Sequence, residues 1–352
     1  MNIVVLAGGL SPERNVSLSS GSLISAALRR KGHHTVMIDV YEGVNDIPSD
    51  PLELFTLTEE KATSVGNTAP TAFDLEQIRK RNNNRKELIG PGVLTLCKAA
   101  DAVFLALHGD MGENGQLQAT LDVFDVKYTG SGYIGSLLAM NKDIAKKLMR
   151  ECGVLTPDWC RIDLPFDEKK IDEAAKKIGF PCIVKPCSCG SSVGVSMVED
   201  IDSLREAILS AADYEGSLLV EKRIFGREFT QAFIDGKALP PVEIIPKCGF
   251  YDYANKYVAN ATEEICPAHI SDDEREKLDK ITERCFSALK LNDYARIDYI
   301  LDESGDFWCL EANTLPGMTP TSLMPQEAAA AGIDYDSLCE KLVMMAYRKK
   351  SR

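Results

Sequence analysis

Apolar runs and helical patterns alternate in the first third of the chain. The runs predict strands at Asn2 to Ala7, His34 to Tyr41 and Asp101 to Leu107, and apolar periodicity predicts a helix at Ser17 to Arg30. Strands that alternate with helices are typical of a parallel sheet. We therefore expect an open α/β domain at the N-terminus. Residues 42 to 98 show little periodicity, and we predict that they form a solvated surface excursion.

Short strand patterns dominate the rest of the chain. Strands are predicted at Cys182 to Pro186, Ser217 to Glu221 and Glu228 to Ile234, and helices at Ser271 to Lys290 and Tyr335 to Lys349. This mixture of elements predicts α+β structure after the first domain.

A hairpin near residue 300 carries the clearest pattern. Two apolar-rich runs, Tyr294 to Leu301 and Asp306 to Asn313, flank turn residues at 302 to 305. If Leu301 faces Asp306, strand alternation gives the hairpin two unlike faces. One face holds Arg296, Asp298, Glu311 and Asn313, and the other holds Ile297, Tyr299, Leu301, Trp308, Leu310 and Ala312.

The polar face of this hairpin predicts a metal and phosphate site. Two carboxylates and an amide oxygen suit a hard cation such as Mg²⁺ better than zinc, and Arg296 offers a fork for phosphate. Glu311 and Asn313 lead into a stiff polar loop from Thr314 to Pro320, the kind of segment that carries function. A solvated face with a surface salt bridge is the alternative.

Three further ionisable residues, Glu13, His108 and Glu113, follow predicted strands. Glu13 precedes the first helix, where it is either a capping acid or a ligand-binding group. His108 and Glu113 follow the strand that ends at Leu107, at the edge where open α/β sheets bind ligands. A structural role is the alternative for a lone histidine.

Two loops complete the candidate chemistry. Lys185 leads into a loop of small residues, Cys187 to Val195, which is either a phosphate-binding loop or an ordinary hairpin turn. The aromatic segment Phe250 to Tyr257 is either a closing lid or an exposed loop.

Composition narrows the class of protein. A length of 352 residues predicts two or three domains, and a net charge of -13 argues against a nucleic-acid binder. The N-terminus lacks the pattern of a signal peptide and no run of about 18 apolar residues occurs, so we expect a cytoplasmic protein without a membrane partner. Eleven cysteines without a C-x-x-C pair indicate reduced thiols.

The ordered set of motifs resembles the D-alanine–D-alanine ligase family of the ATP-grasp superfamily over nearly the whole chain. The motifs are Gly8 to Ser17, His108 to Glu113, Lys142, Val184 to Pro186 with Gly190 to Gly194, Glu221-Lys222, Glu228, Phe250 to Tyr257, Arg296 to Asp298, and Glu311 to Met318. Each motif is weak alone, and their order is specific.

The resemblance implies a three-domain ATP-grasp architecture of α/β and α+β structure. Its parts are an N-terminal open parallel-sheet domain at residues 1–130, a central subdomain with the phosphate loop at 131–215, and a C-terminal domain with the metal site at 216–352. It also implies a homodimer, ATP, and two Mg²⁺ (or Mn²⁺) ions.

The resemblance also implies a role for each site residue. The ATP-binding set is Lys142, Lys185, Ser192, Glu221, Lys222, Ile224, Glu228 and Lys256, and the metal ligands are Asp298, Glu311 and Asn313. The catalytic set is Glu13, Ser191, Tyr257, Arg296 and Ser322, and the two D-alanine molecules are bound by Glu13, His108, Gly317, Ser322 and Leu323.

Other functions stay open at this point. D-Alanine–D-serine and D-alanine–D-lactate ligases share the ATP and metal sites, a catalytically inactive ATP-binding regulator would keep the fold, and a carboxylase-like ATP-grasp enzyme is a third alternative. Cys187-Ser188-Cys189 departs from the family pattern, in which many relatives have polar or charged residues.

Overall fold

Three sheets organise the part of the chain that the structure describes. The structure is a computed structural model and describes residues 1–55, 71–190, 193–247 and 262–349. The sheets follow one another along the sequence, so each is built largely from one contiguous segment.

The first sheet is parallel, as predicted. It consists of β1 (Asn2–Ala7), β2 (His34–Asp39) and β3 (Ala102–Leu105) in the order β2-β1-β3, with α1 (Arg14–Arg30) connecting β1 to β2. Residues 3–7 of β1 are buried because helices cover both faces, which explains their uninterrupted apolar run.

The excursion between β2 and β3 is more ordered than expected. It contains a 3₁₀ turn (Pro51–Leu54), α2 (Ala72–Arg81) and α3 (Val93–Ala99). The prediction of a wholly solvated segment is wrong, because Val93, Leu96 and Cys97 are buried in the core of the first sheet. Their spacing of three and four residues is helical, but seven residues are too few for the period to stand out.

Four helices connect the first sheet to the second. They are α4 (Asp110–Glu113), α5 (Gln116–Val123), α6 (Tyr133–Met140) and α7 (Lys142–Glu151). Asn141 begins α7, where its side chain accepts a hydrogen bond from the backbone N–H of Ile144 at 3.0 Å. Among the helices of the described ranges, none has both the length and the apolar character that crossing a bilayer needs.

The second sheet is antiparallel and lies in the middle of the chain. It contains β4 (Trp159–Asp163), β5 (Cys182–Pro186), β6 (Ser196–Val198) and β7 (Ser217–Lys222) in the order β4-β7-β5-β6, packed by α8 (Glu168–Ile178) and α9 (Ile201–Ala212). Since β7 pairs with β4 and β5, this sheet continues beyond residue 215, where we placed a domain boundary.

The third sheet is also antiparallel. Its strands are β8 (Arg227–Ile234), β9 (Lys237–Ala238), β10 (Val242–Pro246), β11 (Thr262–Ile265), β12 (Tyr294–Leu301) and β13 (Phe307–Asn313). Its helices are α10 (Asp272–Ala288), α11 (Leu323–Ala330) and α12 (Tyr335–Tyr347). The strand order is β11-β10-β8-β12-β13, with β9 paired to β8.

The predicted register of the β12–β13 hairpin is wrong by one residue at its turn. Leu301 lies opposite Phe307 rather than Asp306. An irregularity between Asp298 and Tyr299 then places one extra residue, Leu310, in β13.

This bulge has two consequences for the hairpin faces. Trp308 and Leu310 lie on the face opposite to the one predicted, while Phe307 and Cys309 are buried in the core. The bulge cancels the slip before the polar residues, so Asp298 still pairs with Glu311, and Arg296 pairs with Asn313.

The C-terminal helix α12 returns to the first sheet. Leu338 and Leu342 of α12 are buried in one cluster with Ala27 and Leu28 of α1, and Arg30 forms an ion pair with Asp336 at 2.7 Å. The chain therefore folds back on itself, which brings the loop after β13 to the edge of the first sheet.

Candidate functional site

A cavity of about 500 Å³ opens between the second and third sheets, and we call it the inter-sheet cavity. Its apolar wall includes Ile183, Met197, Ile224, Ile244, Ile300 and Leu310, and its polar lining includes Lys142, Lys185, Glu221, Lys222, Glu228, Asp298 and Glu311. An apolar slot with a few charged groups at one end is typical of a ligand site, and its volume suits a molecule of nucleotide size.

A buried carboxylate at the back of the cavity binds two lysines. Oε1 of Glu221 lies 2.9 Å from Nζ of Lys185, and Oε2 lies 2.5 Å from Nζ of Lys146. Burial opposes the charge of Glu221, but the two ammonium groups outweigh it and hold the pKa of this carboxyl below its usual value. Glu221 is therefore an anion that fixes Lys185 at the cavity wall.

Lys142 contacts both the predicted phosphate-binding loop, Cys187 to Val195, which we call the phosphate loop, and the β12–β13 hairpin. Its Nζ donates to the carbonyl oxygen of Cys189 at 2.7 Å and lies 3.2 Å from Oε2 of Glu311. Burial alone would lower the pKa of Lys142, but the adjacent Glu311 carboxylate more than compensates, and the pKa lies above its ordinary value. Lys142 thus stays charged at the place where the loop and the metal-ligand set meet.

The three predicted metal ligands lie together on the polar hairpin face. Asp298 accepts hydrogen bonds from Thr230 Oγ1 at 2.5 Å, from Asn313 Nδ2 at 3.0 Å, and from Arg296 Nε at 3.0 Å. Because the amide nitrogen of Asn313 faces Asp298, its oxygen is the atom left for a cation.

This donor set fits Mg²⁺. It offers two carboxylates on directly paired residues and one amide oxygen, which is oxygen chemistry that a hard cation prefers. In the described part of the chain, no cluster of three His, Cys, Asp or Glu side chains is arranged to hold a metal, and the third member of this set is an asparagine.

Glu13 forms the centre of a second group of residues at the edge of the first sheet. Its side chain makes no helix-capping hydrogen bond, so the capping alternative does not hold here. The carboxylate lies against Gly109 and Gly190, and a Cβ atom at position 109 would collide with Oε2 of Glu13. Gly190 belongs to the phosphate loop, so Glu13 connects this group to the inter-sheet cavity.

The turn that carries Glu13 is fixed by an ion pair that the sequence did not reveal. Arg14 Nη2 lies 2.5 Å from Oδ2 of Asp39, and Arg14 Nη1 donates to the carbonyl of Gly9 at 2.7 Å. Asp39 also accepts from the backbone N–H of Tyr41 and Gly9. The position of Glu13 is thus determined by the end of β2.

His108 and Glu113 join the first sheet to the loop after β13. Nδ1 of His108 lies 3.0 Å from the carbonyl of Leu315, which requires the proton on Nδ1, and buried Nε2 has no hydrogen-bond partner among the described residues. Glu113 accepts from the backbone N–H of Gly109 at 2.7 Å and of Leu315 at 3.2 Å. Burial, with repulsion from nearby Glu13, raises the pKa of Glu113.

The N-terminus of α11 offers a carboxylate site. Ser322 precedes α11 without capping it, and its Oγ accepts from the N–H of Thr319 at 3.1 Å. Because no side chain caps this end, the first N–H groups of the helix, beginning with Leu323, can donate hydrogen bonds to an anion. Gly317 lies against Ser322, since a Cβ atom at 317 would be 2.9 Å from Ser322 Oγ.

The structure thus groups the predicted residues into two neighbouring sets. The inter-sheet cavity contains Lys142, Lys185, Glu221, Lys222, Ile224, Glu228, Asp298 and Glu311, with Arg296 and Asn313 beside Asp298. The second set contains Glu13 and His108, with Gly317, Ser322 and Leu323 on the loop that Leu315 attaches to His108. Ser191, Ser192, Lys256 and Tyr257 lie outside the described residues.

Sequence reasoning missed Lys146, Thr230 and Asp39. Lys146 had a readable signal, because it follows Lys142 by four residues and therefore lies on the same face of α7. Thr230 had none, since a threonine in an apolar strand is normally a packing residue.

Comparisons with known proteins agree with this geometry. A family model described as D-ala D-ala ligase N-terminus matches residues 2–131, and one described as D-ala D-ala ligase C-terminus matches residues 148–344. The chain is 40% identical over 355 residues to the D-alanine–D-alanine ligase of Pediococcus pentosaceus, an alignment that covers 98% of this chain and 97% of that protein.

Solved structures give the same result. The crystal structure of a D-alanine–D-alanine ligase from Bacillus anthracis superposes with a TM-score of 0.76 at 33% identity and covers 99% of this chain and 98% of that one. A structure of the D-alanine–D-alanine ligase from Bacillus anthracis complexed with ATP gives a TM-score of 0.74 at 29% identity, with 99% and 97% covered. The predicted ATP-grasp fold is confirmed.

Substituting Gly109 tests the packing around Glu13. We expect Gly109→Ala to lower the free energy of unfolding by about 1–3 kcal/mol, because φ is +64° there and the new methyl group collides with the Glu13 carboxylate. Gly305→Ala is the matched control, with φ +79° and no atom within 4 Å of the added methyl group. Chemical denaturation of both variants measures the difference, and an unchanged free energy of unfolding in Gly109→Ala would contradict the expected strain, which is largest here because φ +64° and ψ -177° suit only glycine.

Proposed function

We propose the function from one premise: the chain belongs to the D-alanine–D-alanine ligase family, whose two models together match residues 2–131 and 148–344. It joins two D-alanine molecules into D-alanyl-D-alanine for peptidoglycan precursor synthesis and converts ATP to ADP and phosphate. The observation that carries this proposal is Lys142, which contacts both the phosphate loop and Glu311, while Glu13 lies against the same loop.

The proposed nucleotide lies in the inter-sheet cavity with adenine in the apolar slot. Glu221, Lys222, Ile224 and Glu228 line this cavity and would bind adenine and ribose. Lys142 and Lys185 are buried ammonium groups directed at the cavity, where they would neutralise phosphate charge. Ser192 and Lys256 remain predicted members of this set.

Asp298, Glu311 and Asn313 would hold Mg²⁺ or Mn²⁺, with two ions expected beside a triphosphate. A bound ion there would supply Lewis-acid chemistry and offset the negative charge that develops during phosphoryl transfer. The chain supports the ligands from behind, since Thr230 holds Asp298 and Lys142 holds Glu311. Arg296 donates two hydrogen bonds to the Asp298 carboxylate, from Nε and Nη2, which fixes the guanidinium beside the predicted metal ligands.

The first D-alanine would lie between Glu13 and the phosphate loop. Its ammonium group would meet the buried Glu13 carboxylate, with His108 beside it, and its carboxylate would point to the nucleotide. That carboxylate attacks the γ-phosphorus, the bond to the ADP oxygen breaks, and an acyl phosphate forms. Activation is needed because a free carboxylate is a poor electrophile.

The second D-alanine would bind through its carboxylate at Ser322 and the N–H of Leu323. Its amine attacks the acyl carbon, loses a proton, and expels inorganic phosphate. Arg296 and the N–H of Gly317 would stabilise the tetrahedral oxyanion, at about 3 kcal/mol per donor. Ser191 and Tyr257 are predicted to close the site with Glu13 and exclude water from the acyl phosphate.

The alternatives are less well supported. A D-alanine–D-serine or D-alanine–D-lactate ligase is not favoured, because the curated relatives at 35–40% identity are D-alanine–D-alanine ligases. An inactive regulator would be expected to lack at least one of Glu13, Arg296, Asp298, Glu311 or Ser322, and all five are present.

A homodimer is part of the proposal. Helices α5 and α6 pack against each other and expose large apolar side chains at Val123, Phe124, Tyr133, Ile134 and Leu137. Val123 is 82% exposed, and a group of such residues on one monomer is typical of a protein interface. A cytoplasmic location stays a prediction.

Purified protein should release phosphate from ATP only when D-alanine is supplied with a divalent ion. We expect kcat/KM for D-alanine as second substrate to exceed the values for D-serine and D-lactate by at least about tenfold. L-Alanine is the control for stereochemistry. A preference for D-lactate or D-serine would replace the proposed substrate, and no turnover with any of them would favour the regulator.

Arg296→Ala should separate chemistry from nucleotide binding. Loss of the oxyanion donor is expected to lower kcat at least about a hundredfold while the Kd for ATP changes little. Arg205→Ala, which removes the same charge from α9, should leave both values unchanged. Unchanged turnover in the Arg296 variant would remove this residue from the mechanism.

Leu137→Glu tests the dimer. A charge in the centre of the apolar α5–α6 surface should give a monomer in light scattering coupled to size exclusion, because an unpaired carboxylate cannot be buried cheaply. Leu209→Glu on α9, also exposed in the monomer, should leave a dimer intact. A monomeric native protein would contradict this assembly.

A further inference from the structure

Lys142 and Lys146 are one helical turn apart and project from the same face of α7. Lys142 leads to the phosphate loop and Glu311, as described above. Lys146 lies four residues later and is completely buried, with a side-chain exposure of 0%. A buried ammonium group is costly unless it is paired, so its partners indicate its role.

The ion pair of Lys146 leads to Glu221, which lines the inter-sheet cavity. Nζ lies 2.5 Å from Oε2 of Glu221 and donates to Oγ1 of Thr156 at 2.6 Å, and it also lies 5.1 Å from the centre of the Trp159 ring. Trp159 lies opposite Glu221 in the sheet, so β4 and β7 present these groups together. Lys146 does not line the cavity itself.

Glu221 links Lys146 to a residue that lines the cavity. Its other oxygen binds Lys185, which does line the cavity. Two ammonium groups therefore share one carboxylate, and the triad of Lys146, Glu221 and Lys185 has a net charge of +1 when both lysines are protonated. Without Lys146, Glu221 and Lys185 would form a neutral pair, and Glu221 would be free to move with Lys185.

We propose that Lys146 is a positioning residue for nucleotide binding, which holds Glu221 so that Lys185 faces the cavity and supplies the net positive charge that the triphosphate meets. The inference rests on the proposed function in taking an adenine nucleotide as the ligand. Helix α7 would then contact the site twice: through Lys142, which contacts Glu311 of the hairpin, and through Lys146, which contacts Glu221 of the second sheet.

The titration of Lys146 gives the proposal a distinctive signature. Burial lowers the pKa of Lys146 to about 8, despite the opposing attraction of Glu221. The ionisable groups that face it are Glu221 from β7, Lys185 from β5 and Cys309 from β13. As pH rises through about 8, Lys146 loses its proton and the triad becomes neutral, so nucleotide binding should weaken.

Two other ionisable groups of the cavity have pKa values shifted away from this range. The pKa of Lys142 is raised by Glu311 despite burial, and burial raises the pKa of the Cys189 thiol to about 11. Both groups keep one charge state between pH 7 and 9.

The experiment compares Lys146→Met with Lys147→Met. Lys147 lies on the same helix and loses the same charge, but its side chain is 63% exposed and it pairs with Asp143 away from the cavity. The Kd of the wild type and both variants for a non-hydrolysable ATP analogue with Mg²⁺ is measured at pH 7 and pH 9, with KM and kcat at pH 7.

At pH 7, Lys146→Met should raise the Kd and the KM for nucleotide about tenfold, and change the KM for D-alanine less than about threefold. The wild type and Lys147→Met should bind about tenfold more weakly at pH 9, whereas Lys146→Met should bind equally at both pH values. Its effect should also shrink in a Glu221→Gln background, because the contact acts through that carboxylate.

Nucleotide binding by Lys146→Met within twofold of the wild type at both pH values would overturn the proposal and leave Lys146 a structural residue, even if the melting temperature falls. If that variant does not fold, the wild-type Kd for the ATP analogue at pH 7 and pH 9 is the test. A Kd that is constant over this range contradicts the proposal. A wild type that binds no adenine nucleotide would contradict the proposed function itself.

Discussion

The site depends on one short helix that contacts both antiparallel sheets. Helix α7 directs Lys142 to Glu311 in the third sheet and Lys146 to Glu221 in the second. Ion pairs between exposed groups contribute little, but these ammonium groups are buried, and removing a partner would leave an uncompensated charge. The width of the inter-sheet cavity is therefore set by a rigid element ten residues long.

The β12–β13 hairpin shows how an irregular strand can serve such a site. A regular ladder with the observed turn would place Glu311 opposite Ile297, on the core side of the sheet. The extra residue, Leu310, rotates the end of β13 by one position, so Glu311 and Asn313 share a face with Asp298. Leu310 itself joins the apolar wall of the cavity. The bulge thus brings both a predicted metal ligand, Glu311, and an apolar contact residue, Leu310, to the cavity.

Strong local patterns made much of this predictable. The parallel sheet followed from continuous apolar runs such as that of β1, and the polar hairpin face from the alternation of Arg296 and Asp298. The turn register was not predictable, because the residues at 302 to 305 permit more than one pairing and only the core packing of Phe307 selects one. Lys146 was missed because its role depends on Glu221, which is 75 positions away in the sequence and lies on β7 of the second sheet.

The acidic group at the first sheet shows why the substrate's charge suits this site. Glu13 is buried and Glu113 is half-buried, and their mutual repulsion, added to burial, raises the pKa of Glu113. Two backbone N–H groups hold Glu113, so that carboxyl can join the two loops, while the Glu13 carboxylate lies against Gly109 and Gly190. A cationic group next to Glu13 would relieve the repulsion that the folded chain otherwise retains. In the proposed function a D-amino acid would provide such an ammonium group, and its carboxylate, one carbon away, would point toward the predicted phosphate loop that Lys142 contacts.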